Sequence, residues 1–145
     1  MAYLGERMIA CPDINFDWAN TYAVVVSGDG PNFCGHLLLN VGGPGGYYFQ
    51  VTGDSLREMR SYPRWLNAAG YRLYLASHQK KELKRFRVAI TKPDAAMLKM
   101  EELLSVHWTW GILPHNCASF VEEIVSVGGS AAGLYTNCPA LENFQ

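Results

Sequence analysis

No stretch of this sequence approaches the roughly 18 to 20 consecutive apolar residues that a membrane-spanning helix requires, so stable membrane insertion is not expected. Cysteine is scarce. Four residues, Cys11, Cys34, Cys117 and Cys138, are too few for a disulfide scaffold in a chain of 145, and none forms the Cys-x-x-Cys pair that begins a zinc or thioredoxin-like site. Neither sign of charge dominates, with 12 Lys and Arg against 13 Asp and Glu, so no global basic field points to nucleic acid. Residues Met1 to Cys11 lack the basic start and apolar run of a secretory signal. The expectation is a soluble protein made in the cytoplasm, without metal or cofactor, whose export would use a specialised route. A bridge between Cys11 and Cys138 would tie the chain ends together and stays open as a pairing.

What is present suits one ordinary globular domain. Hydrophobic residues make up 49% and charged residues 17%, far from the apolar-poor, highly charged signature of disorder. No repeat or long linker divides the chain, so residues 1–145 are read as a single domain of α+β class, an antiparallel sheet packed by helices. The tight cluster Gly42-Gly43-Pro44-Gly45-Gly46 predicts a turn, flanked by strands within Phe33–Val41 and Tyr47–Val51, with Tyr22–Val26 joining the same sheet. Asp54-Ser55 reads as a helix start, Pro63 as a break and Gly70 as a C-terminal cap. Tyr71–Ala76 and Phe86–Ile90 then read as strands, separated by a polar stretch, His78 to Arg85. A helix opening at Thr91-Lys92-Pro93-Asp94 carries Met97, Met100, Leu103 and Leu104 at helical spacing. A final helix starts near Asn116 and ends at Gly128-Gly129.

Cys117 falls in the first turn of that last helix. Unpaired backbone N–H groups and the positive end of the helix dipole there favour a thiolate. The spacing groups Cys117 with Phe120, Val121 and Ile124, which directs the sulfur toward the sheet. A thiol nucleophile needs a base within hydrogen-bond reach, and His36 stands in the apolar strand Cys34-Gly35-His36-Leu37-Leu38-Leu39, where an imidazole needs a partner. His78, His107 and His115 fit the role less well, the first two because they sit at polar or helix-terminal positions that suit a cation. A hairpin centred on Gly43 pairs Leu39 with Tyr47 and His36 with Gln50, making Gln50 the candidate that orients the imidazole, with Tyr48 and His78 as rivals. The equally direct alternative is a small buried cysteine on an amphipathic helix and a satisfied core histidine.

The run Pro114-His115-Asn116-Cys117-Ala118-Ser119-Phe120-Val121 resembles the Asn-Cys helix start of the circularly permuted papain-like superfamily, which is related to NlpC/P60 enzymes. That group includes lecithin:retinol acyltransferase-like, YiiX-like and PPPDE families, in which a strand histidine precedes the nucleophilic cysteine, as here. The likeness covers roughly residues 22 to 128. Ser119 departs from it, standing where several of these families have His. The resemblance implies a papain-like fold and a cysteine hydrolase with Cys117, His36 and Gln50 as catalytic residues. Its substrate would be a peptide, such as peptidoglycan in the manner of bacterial effector toxins, or a lipid ester, the apolar Trp108–Leu113 loop giving access. An inhibitory or immunity protein is a possible partner. A third reading is an inactive binding module that kept the fold. The basic run Lys80, Lys81, Lys84, Arg85, Arg87 is either a solvated turn or a contact for an anionic polymer or acidic protein.

Overall fold

The computed structural model describes residues 5–7, 16–27, 35–51, 60–61, 64–104, 108–109 and 117–130. In chain order the elements are β1 (Glu6–Arg7), a 3-10 turn (Trp18–Asn20), β2 (Thr21–Val26), β3 (His36–Val41), β4 (Tyr47–Gln50), β5 (Arg60–Ser61), β6 (Arg64–Leu66), α1 (Ala68–Ser77), β7 (Glu82–Arg87), α2 (Pro93–Leu104), β8 (Trp108–Thr109) and α3 (Cys117–Val127). Six strands form one antiparallel sheet in the order β1-β6-β4-β3-β2-β7, and β5 pairs with β8 apart from it. The architecture is α+β.

Alternation along the strands separates two cores. Ala23, Val25, Leu37, Leu39, Val41 and Phe49 face α2 and α3, meeting Met100, Leu103, Phe120, Val121, Ile124 and Val125. Val24, Val26, Leu38, Tyr48 and Leu66 face the other way, toward Tyr71 and Tyr74 of α1. The central strands are apolar on both sides because helices cover both faces. Each fully buried aliphatic or aromatic side chain contributes about 1.5–3 kcal/mol, and the stripe Phe120, Val121, Ile124 and Val125 is entirely enclosed.

The hairpin forms where the glycines predict it, with Gly42 and Gly43 at positive φ. Asn40 holds the turn from inside, its Nδ2 donating to the carbonyls of Gly43 (2.8 Å) and Tyr47 (3.0 Å). At the other end of the chain, α3 closes in a Schellman motif. Gly129 N–H donates to Ser126 O and Ser130 N–H to Val125 O, with Gly129 at φ +96°.

Two expectations fail in the middle of the chain. Tyr71–Ala76 is helix, not strand, and Gly70 lies in the first turn of α1 rather than at a C-terminal cap. The decisive residue is Asn67, whose side chain accepts from Gly70 N–H at 2.8 Å and caps the helix. The aromatic alternation that suggested a strand is a helical i, i+3 pair, Tyr71 and Tyr74, on the buried side. The expected helix start at Asp54-Ser55 lies outside the described residues. The strand expected at Phe86–Ile90 is instead β7, Glu82–Arg87, and so begins inside the stretch read as a polar connection. As the last strand of the sheet it tolerates charged residues, since one side has no strand neighbour among the described residues. The helix expected from Thr91-Lys92-Pro93-Asp94 is α2, with Met100 and Leu103 buried.

Candidate functional site

His36 opens β3 directly after Gly35, which takes φ +78°. Its side chain is buried, and its Nε2 lies 2.8 Å from Oε1 of the fully buried Gln50. The sequence-based pairing reaches this contact by a different register. The hairpin centres on Pro44, with Leu39 opposite Phe49 and Val41 opposite Tyr47, so every pairing moves by two residues from that expected. A two-residue shift leaves each side chain on its face, and Gln50 becomes a diagonal rather than a direct neighbour of His36, still within reach.

The hydrogen bond sets the chemistry of the ring. An amide oxygen can only accept, so Nε2 carries the proton and Nδ1 is the nitrogen with a lone pair for accepting one. Of the rival partners, Tyr48 is stacked on Tyr71 at 3.9 Å and accepts from Arg85 instead. His78 caps the C-terminus of α1 beside Tyr74, its buried Nε2 without a hydrogen-bond partner among the described residues.

Helix α3 begins at Cys117, as the sequence predicts. Its C-terminal end is fixed by the N–H groups of Thr91 and Lys92, both donating to Gly128 O at 2.9 and 2.8 Å. That anchor adjoins the end of the sheet where Val88 N–H meets Thr21 O and Thr21 pairs with Val41. A helix of 11 residues is about 16 Å long, close to the roughly 20 Å of the six-residue strand β3. Helix α3 packs on β3 and β4, and the opposite end of β3 from Val41 is the one at which His36 pairs with Val26.

The placement of His36 differs from expectation in one respect. It shares a face with Leu38 and Asn40, on the α1 side, whereas α3 covers Leu37, Leu39 and Val41. The pleat forbids an imidazole directly beneath α3. A contact between Cys117 and His36 has to pass around the start of β3, past Gly35, rather than across the sheet face. The side chain of Cys117 lies outside the described residues, as do Asn116, Cys11, Cys34, Cys138, His107 and His115 and the loop from Trp110 to His115.

No protein-family model matches the chain, and neither does any curated protein or any solved structure. Among the described residues no group of three or more His, Cys, Asp or Glu side chains could hold a metal ion, and no helix is long and apolar enough to cross a membrane.

A second polar cluster on the α1 face was not legible in the sequence. Arg85 donates through Nη1 to Asn40 Oδ1 (2.7 Å), through Nη2 to Tyr48 Oη (2.8 Å) and Glu82 Oε1 (2.8 Å), and through Nε to Glu82 Oε2 (3.3 Å). Tyr71 donates to Glu82 Oε1 at 2.7 Å. Burial opposes ionisation of Glu82, but the hydrogen bonds from Arg85 and Tyr71 and the Arg85 charge outweigh it, holding the carboxyl below its usual range. Burial, then the bond to Glu82, pushes the Tyr71 hydroxyl up and keeps it neutral. The cluster ties α1 and β7 to the hairpin and absorbs one member of the basic run. The available signal was Asn40, a polar residue in the apolar run Leu37–Val41, which had to find partners.

Proposed function

We propose that this protein is a cysteine hydrolase of permuted papain-like architecture, with Cys117 as nucleophile, His36 as general base and Gln50 as the residue that positions the imidazole. The observation that carries the reading is the buried His36–Gln50 hydrogen bond at 2.8 Å. An amide oxygen facing Nε2 supports the tautomer in which Nδ1 accepts a proton. The N–H groups of the first turn of α3 favour a thiolate and offer a donor for an oxyanion.

In the proposed reaction His36 Nδ1 takes the thiol proton and the Cys117 sulfur attacks an amide carbonyl. The tetrahedral intermediate collapses with cleavage of the C–N bond, and the imidazolium returns the proton to the departing amine. Water, deprotonated by the same imidazole, then attacks the thioester, releasing the carboxylic acid and restoring the thiol. A cell-wall peptide is the favoured substrate. An antibacterial effector acting on peptidoglycan would be exported by a specialised route and held inactive in its producer by an immunity protein.

Mass spectrometry of the protein incubated with peptidoglycan fragments tests this. Cleavage products that vanish in both Cys117→Ala and His36→Ala are expected. Absence of products while Cys117 alkylates rapidly would redirect the same chemistry to lipid esters, as a phospholipase or acyltransferase.

A second reading is favoured by the pleat. Because His36 and Gln50 share the face opposite α3, they also suit a non-catalytic binding module in which they satisfy each other as a buried polar pair. Slow alkylation of a folded protein at Cys117, together with no cleavage, would select that reading.

A further inference from the structure

Strand β7 ends the six-stranded sheet, paired with β2 on one side and with no strand on the other among the described residues. Val88 N–H donates to Thr21 O at 2.8 Å, which makes Thr21 and Val88 a hydrogen-bonded pair. In the antiparallel register that pairs Ala23 with Phe86 and Val25 with Lys84, alternation turns the backbone groups of Val88, Phe86 and Lys84 toward β2. The N–H and C=O groups of Arg85 and Arg87 therefore point outward along the edge.

The same segment concentrates positive charge, with Lys80 also donating to Ser27 O, Arg85 to Asn40, Tyr48 and Glu82, and Arg87 to Ala19 O. Lys80, Lys81, Lys84, Arg85 and Arg87 fall within eight consecutive positions with one acid, Glu82, in a chain whose formal charge is −1. Glu82 is paired with Arg85. Leu83, left over where the register shifts between Val25 and Val26, is 48% exposed beside these charges. Such a bulge and such charges deter edge-to-edge pairing with a second copy, because like charges would stand opposite each other. The charges do not deter an acidic strand, and the bulge at Leu83 lies outside the stretch Arg85–Arg87.

We propose that the β7 edge is a docking site for an extended acidic segment of a partner protein, which adds to the sheet as a seventh strand. The backbone groups of Arg85 and Arg87 would bond its main chain, and the lysines would select its charge. This inference does not rest on the cysteine-hydrolase reading.

The test uses a fluorescent peptide of about eight residues alternating Glu with Val or Thr. Its controls are the same peptide with Lys for Glu and the acidic peptide interrupted by Pro, which cannot complete a ladder. The expected result is anisotropy-detected binding of the uninterrupted acidic peptide alone, weakened by salt. Binding should be about tenfold weaker in Lys81→Glu/Lys84→Glu and unchanged in Cys117→Ala. Hydrogen exchange read by NMR should show new protection at the amides of Arg85 and Arg87. Equal binding of the acidic and basic peptides, equal binding of the Pro-interrupted peptide, or unchanged protection at those two amides would overturn the proposal. Concentration-dependent dimerisation that protects the same amides without peptide would assign the edge to a second copy and overturn it as well.

Discussion

Removing the acceptor from His36 is the most informative change to the buried polar pair. Gln50→Leu replaces a fully buried amide with an apolar side chain and leaves the His36 Nε2–H, which bonds Gln50 Oε1 at 2.8 Å, without that partner. An unsatisfied buried donor costs about 1–3 kcal/mol. His36→Leu takes the same hydrogen bond from the Gln50 oxygen and carries a similar cost. Replacing both by apolar residues removes both desolvation penalties, so the double variant should be destabilised by much less than the sum of the singles. The coupling energy expected is about 1–3 kcal/mol. Urea unfolding followed by circular dichroism reads it directly. With a slope of about 2 kcal/mol per molar urea, each single variant should lower the midpoint by roughly 0.5–1.5 M. Single-variant losses that add within about 0.5 kcal/mol would refute the claim that these two side chains satisfy each other.

Three further outcomes follow from local geometry. Gly129→Ala should destabilise by at least about 1–2 kcal/mol, since Gly129 takes φ +96° and an added Cβ would run into the Thr91 side chain; a melting temperature unchanged from the parent would contradict the cap assignment. Gln79 adopts φ 54° just after α1, so Gln79→Gly should stabilise by about 0.5–1 kcal/mol, seen as a higher urea midpoint. Because Glu82 is held below its ordinary value of 4.5, its contribution to stability is complete above that value and is lost as pH falls through the lowered one. Glu82→Gln should therefore lower the melting temperature at about pH 7, with the gap to wild type closing as the pH falls below the ordinary carboxylate range; a gap that widens on acidification would refute the Arg85–Glu82–Tyr71 assignment.

The elements that were legible in the sequence are those in which local chemistry and tertiary demand agree. The glycine cluster at 42–46 dictates a turn because Gly42 and Gly43 take positive φ. The stripe Phe120, Val121, Ile124 is helical by spacing and is buried by packing. The His36–Gln50 contact survived a misplaced turn centre because an error of two residues preserves facing. Tyr71–Ala76 was misread because aromatic residues favour strands on average, while the capping side chain of Asn67 and the stacking of Tyr71 on Tyr48 decide for helix. Strand β7 was hidden by its charges, and the links of Arg85 to Asn40 and Tyr48 and of Tyr71 to Glu82 join separate elements, which no local pattern encodes. The face of the sheet on which His36 lies depends on the pairing of β3 with β2 and on which helices cover each side, both long-range facts.

The proposed hydrolase requires His36 to act on Cys117 although it lies on the opposite face of the sheet from α3. The most direct measurement is the pH dependence of iodoacetamide alkylation at Cys117, resolved from the other cysteines by peptide mapping, in the wild type and in His36→Ala. The account predicts a thiolate that forms well below the ordinary thiol value of about 8.5, with its profile moving upward when His36 is removed. A profile at the ordinary value, the same with and without His36 in folded protein, would contradict it.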